Sequence, residues 1–84
     1  MHLPLLMGSF SPSELDQLLT GFIQAKIKYH EEKIKHAEEA ETIKMRENRI
    51  IKLQNDLAAV RNQLKQTNAR VNAEAIIHLS LNHG

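Results

Sequence analysis

After Pro12 this chain contains no proline, and between Gly21 and Gly84 it contains no glycine. The tract between is rich in Ala, Glu, Lys, Gln, Leu and Ile, which are fair to strong helix formers. Asn48, Asn55, Asn62, Asn68 and Asn72 interrupt it only mildly. Nothing local forbids one helix from about residue 12 to the high seventies, a rod of roughly 100 Å at 1.5 Å per residue. A helix of that length without a partner would be unusual. The question is therefore what the helix packs against.

Its beginning is well marked in the stretch SFSPSELDQLL. Ser11 can cap the helix by accepting from an early backbone N–H. Pro12 suits the first helical position, where a missing N–H costs nothing. Glu14, three residues after Ser11, completes a capping box, and Phe10 with Leu15 can form a hydrophobic staple across the cap. Residues 1–10 are left as an apolar leader, expected to be irregular around Pro4 and Gly8.

The apolar pattern sets the packing. In steps of seven from Leu15, the a positions include Ile50, Leu57, Leu64 and Val71, with Leu53 and Val60 among the d positions; this seam resembles a coiled coil. Between residues 29 and 46 the pattern fails, with Glu32, His36, Glu39 and Arg46 in core places. The first helical stretch has a wider stripe of Leu15, Leu18, Leu19, Phe22, Ile23 and Ile27, continued by His30 and Ile34, which suits burial against two neighbours. Apolar ends around a polar middle suggest folding about a centre near Ala40. Residues whose numbers sum to about 80 would then meet: Ile23 near Leu57, Ile27 near Leu53, Leu3 near Ile77.

The expected fold class is accordingly all-α: a long amphipathic helix or an antiparallel helical hairpin with coiled-coil-like packing, oligomeric because a core this small needs help. The hairpin needs a bend near residues 38–48, where no Gly or Pro stands; the dimer of long helices needs none. The domain reading is a leader over 1–10, a helical domain over 11–80 and a tail over 81–84. The expected interface is Leu15, Leu18, Leu19, Phe22, Ile23, Ile27, Ile50, Leu53, Leu57, Val60, Leu64, Val71, Ile76 and Ile77.

Chemistry is sparse. There is no cysteine, which removes disulfides and thiolate metal sites. His30 and His36 are six apart, off the i, i+4 spacing of a helical metal pair, and His30 beside Ile34 reads as a half-buried histidine. His2, His78 and His83 lie near the ends. Glu31, Glu32, Glu38, Glu39 and Glu41 read as a solvated helix face, since acid–base work needs carboxylates set in a pocket. No catalytic, cofactor or metal site is expected, and no enzyme. The seven basic residues Lys44, Arg46, Arg49, Lys52, Arg61, Lys65 and Arg70 spread through the heptads, where a DNA-reading basic region would be clustered ahead of them.

Nothing reads as a membrane span, and MHLPLLMG lacks the basic segment of a signal peptide; cytoplasm is the default compartment. The functional expectation is a non-enzymatic protein–protein interaction module of adaptor, assembly-factor or co-chaperone type. Its partners would be itself, as a homo-oligomer, or another helical protein. The alternative is a small nucleic-acid-binding regulator using the basic half, residues 44–70.

Overall fold

The computed structural model describes residues 1–82. Strand β1 spans His2–Phe10, helix α1 Pro12–Lys35, helix α2 Ala40–Lys65 and strand β2 Val71–His78. The two helices form an antiparallel hairpin, and the two strands pair antiparallel at its open end. The all-α expectation is therefore corrected: the fold is mixed α/β. The leader is a strand rather than irregular chain, and helix stops at Lys65 instead of continuing toward residue 80.

Helix α1 begins as its cap residues dictate. The Glu14 amide donates to Ser11 Oγ at 3.1 Å, and Pro12 occupies the first turn. Phe10 packs against the cluster that contains Leu15, the contact expected of a staple.

The turn between the helices uses four residues, 36–39, none of them glycine. His36 leaves the helix at φ −106° and ψ 4°, and Glu39 enters the next one at φ −92° and ψ 129°, so no residue crosses to positive φ. The Ala37 amide bonds the Ile34 carbonyl at 3.2 Å, and the Ile43 amide that of Glu39 at 3.1 Å. A helix–helix turn of this kind needs no left-handed residue, so the lack of glycine does not forbid it.

Helix α2 ends for a local reason as well. The hydroxyl of Thr67 accepts from the Ala69 amide at 3.2 Å, offering the backbone a partner outside the helix. Arg70 then anchors the chain to β1: its Nη2 donates to the Ser9 carbonyl at 2.7 Å and its Nε to Ser9 Oγ at 3.0 Å. From Val71 onward every second residue, Val71, Ala73 and Ala75, packs with Leu6 and Phe10 toward the helices. Pairing with β1 overrides the weak strand preference of Ala, Asn and Glu.

The ribbon register runs from Phe10↔Val71 to His2↔His78, with Leu3 opposite Ile77 and an irregularity between Pro4 and Leu6. Pairing continues to Met1, which exchanges both backbone hydrogen bonds with Leu79, at 2.8 and 3.2 Å. Gly8, opposite Ala73, has φ +141°, a conformation that a side chain would strain.

The core is small and sits where the ribbon meets the hairpin. Leu6, Leu15 and Leu64 are its buried apolar residues, with Leu19, Phe22, Phe10 and Val71 around them. The molecule measures 47 × 33 × 13 Å. The hairpin accounts for about 39 Å of the longest dimension, from 26 residues in α2. Nine residues of β1 span roughly 30 Å, close to the second dimension, so the ribbon crosses the end of the hairpin rather than extending it. The third dimension is about the width of two packed helices. Among the described residues, no further element backs either broad face.

Candidate interaction surface

The expected interface residues fall into three groups. Leu15 and Leu64 are buried in the core. Leu19, Phe22, Ile23 and Ile27 of α1, Ile50, Leu53 and Leu57 of α2, and Val71 and Ile76 of β2 are half-buried. Leu18, Val60 and Ile77 are exposed, at 37–38%. The inward face of α2 runs Ile43, Arg46, Ile50, Leu53, Leu57, Arg61 and Leu64. Arg61 thus takes the place expected of Val60, a one-residue slip of the seam. The reason is its partner: Arg61 Nε donates to Asp16 Oδ1 at 2.7 Å across the hairpin.

At the middle of the hairpin the seam is polar and closed. His30 is 3% exposed, and its Nδ1 lies 3.0 Å from Arg46 Nη1. A guanidinium can only donate, so Nδ1 accepts and the ring of this neutral histidine carries its proton on Nε2. Burial, then the charges of Arg46, Arg49 and Lys26, hold the His30 pKa below 6.5. Tyr29 shields the pair from outside, with its ring edge-on to His30 at 5.5 Å and Arg46 over its face at 5.8 Å. The heptad breaks at His36, Glu32 and Glu39 disappear in this frame, because those residues lie exposed in or beside the turn.

The basic half is largely committed within the chain. Arg46 is held by His30, Lys52 by Asp56 at 2.8 Å, Arg61 by Asp16 and Arg70 by Ser9. Among the described residues, Lys44, Arg49 and Lys65 make no ion pair. The groove beside His30 is lined by Lys26, Arg49, Lys52, Leu53 and Asp56, and its acid already pairs with Lys52.

No three His, Asp or Glu side chains gather as a metal site among the described residues. His2 and His78 stack edge to face at 4.5 Å, while His83 lies outside the described residues. No helix among the described residues is long and apolar enough to cross a membrane.

What the fold leaves open is apolar. Of twelve exposed large hydrophobic residues among those described, seven belong to the ribbon and the chain just beyond it: Met1, Leu3, Leu5, Met7, Ile77, Leu79 and Leu81. The half of the ribbon from Met1 to Leu5 and from Ile76 to Leu79 carries no Lys, Arg, Asp or Glu. Leu6, Phe10, Ala73 and Ala75 are structural residues that periodicity in steps of seven does not find. The signal was present in VNAEA, which alternates apolar and polar with period two.

By architecture, the chain is a helical hairpin closed by a two-stranded β-ribbon. Compared with protein-family models, curated proteins and solved structures, it matches none.

Proposed function

We propose that this protein is a non-enzymatic interaction module that works by self-association, with the helical hairpin as a stiff arm available to a helical partner. The observation that carries this reading is surface. The chain exposes 6808 Å², whereas a compact monomer of 9.6 kDa would expose about 5,100 Å². The surplus of about 1,700 Å² is roughly twice what each partner contributes to a standard protein–protein interface. A radius of gyration of 15.8 Å against about 12 Å for a compact domain of this length points the same way. Among the described residues only three apolar side chains are buried, so the hydrophobic stabilisation available to one copy alone is small.

Light scattering coupled to size exclusion, with X-ray scattering over a concentration series, tests the reading. It expects a mass of at least twice 9.6 kDa. A monomer at every concentration would overturn it. Nucleic-acid binding through residues 44–70 is the weaker proposal, because four of the seven basic side chains are held within the chain. Salt-sensitive retention of duplex DNA, lost when Lys44, Arg49 and Lys65 are neutralised, would favour it.

A further inference from the structure

We infer that two copies join through the free edge of β2, antiparallel about a two-fold axis at Ile76, to make a four-stranded sheet in the order β1-β2-β2-β1. This rests on the self-association reading and names the surface and partner. The partner is a second copy of this chain.

The two edges of the ribbon are unequal. The outer edge of β1 is interrupted by Pro4, by the irregularity between Pro4 and Leu6, and by Gly8 at φ +141°. These are the devices that stop an edge from pairing. Strand β2 has none of them: AIIHL from Ala75 to Leu79 has no proline, glycine or charge.

The backbone fixes which groups are free. Leu79 and Met1 exchange both hydrogen bonds, so Leu79 directs its amide and carbonyl toward β1. By alternation Ile77, Ala75, Ala73 and Val71 do the same, while the amides of Asn72, Glu74, Ile76 and His78 face the open edge. An antiparallel two-fold at Ile76 sets Ile76 against its own copy as a hydrogen-bonded pair. The same axis sets Glu74 opposite His78 of the second copy, twice. An axis one residue earlier would oppose Glu74 to Ile76, and one residue later to Ser80. The Ile76 axis is the one that gives the only charged side chain of this edge a polar, ring-nitrogen partner on the same face.

The flanking surface suits a copy better than an unlike partner. Leu3, Leu5, Ile77 and Leu79 are 38–49% exposed and carry no charge around them, so the patch is its own complement. The surplus surface of about 1,700 Å² exceeds the roughly 800 Å² that such a dimer takes from each chain.

Two variants of the full chain test this. Ile76→Pro removes the edge-facing amide, which β1 does not use, and should convert the dimer to monomer in light scattering with helical circular dichroism retained. Ile76→Cys places two thiols across the axis with Cα atoms about 5.5 Å apart, inside disulfide range. In a chain with no other cysteine, it should give a covalent dimer on mild oxidation at many times the rate of Val60→Cys on the hairpin. The cysteine result decides the matter if the proline variant fails to fold. A parent that is monomeric throughout sinks both readings. A dimer in which Ile76→Cys cross-links no faster than Val60→Cys leaves self-association standing and overturns this interface.

Discussion

Acid should loosen the hairpin at its middle, and the size of the effect follows from His30. The ring is buried, accepts from Arg46, and has Arg49 and Lys26 as further positive neighbours. Its folded pKa lies below 6.5. An unfolded chain, with no such burial, takes up the proton at about pH 6.5. Stability that is fully present above about pH 6.5 is therefore lost as pH falls below it, down to the lower folded pKa. The slope approaches 1.4 kcal/mol per pH unit, so the loss reaches at most about 2 kcal/mol near pH 5. A chain of 84 residues has about 4–13 kcal/mol in all, by the usual 0.05–0.15 kcal/mol per residue. That ceiling is between about a sixth and a half of the whole.

Urea unfolding followed by helical circular dichroism, at fixed protein concentration between about pH 7.5 and pH 5, measures it. His30→Gln is the control, since an amide oxygen can still accept from Arg46 and does not titrate. Its stability should change less with pH than the parent's, by up to the same 2 kcal/mol. His2, His36 and His78 are exposed and are present in both proteins. Equal losses in parent and His30→Gln would refute the reasoning.

Three further outcomes are expected. Leu64→Ala empties part of a three-residue core and should cost about 2–5 kcal/mol in denaturant unfolding; a change under about 1 kcal/mol would mean that the core lies elsewhere. Ser11→Ala removes the acceptor for the Glu14 amide and should cost about 1 kcal/mol, while Ser11→Asp should restore most of it. Leu57→Asp sets a carboxylate in the half-buried seam, and should abolish helical signal or assembly; an unchanged signal and mass would contradict the seam.

The helices were legible because their signals are local. Ser11, Pro12, Glu14 and the Phe10–Leu15 pair announce the start of α1, and the observed caps use them. Folding about Ala40 was readable from apolar ends and a polar middle, and Leu3 does lie opposite Ile77. The strands were hidden for different reasons. In β1, Pro4 and Gly8 read as punctuation, yet an edge strand tolerates both. In β2, Ala, Asn and Glu are poor strand formers, and Val71 and His78 fall seven apart, so the segment passes as one more heptad. Its strand exists because β1 is there to pair with, which is a long-range fact. The polar pairs His30–Arg46 and Asp16–Arg61 were likewise invisible, since each joins residues on separate helices. A heptad frame counts Arg46 and Arg61 as flaws or flanks, although each makes a hydrogen bond across the hairpin.

The ribbon also orders events in time. The helix pair can zip outward from the turn at residues 36–39 with loops that grow one step at a time, each closure adding little entropy cost. Phe10 and Val71, by contrast, and finally Met1 and Leu79, meet across most of the chain. Contacts of that separation form slowly unless something first brings the ends together, and the hairpin does so. During synthesis β1 must wait, unpaired and apolar, until more than sixty further residues have emerged. The hairpin is then the splint for the ribbon, and β1 is least protected in the interval between its own synthesis and the arrival of β2.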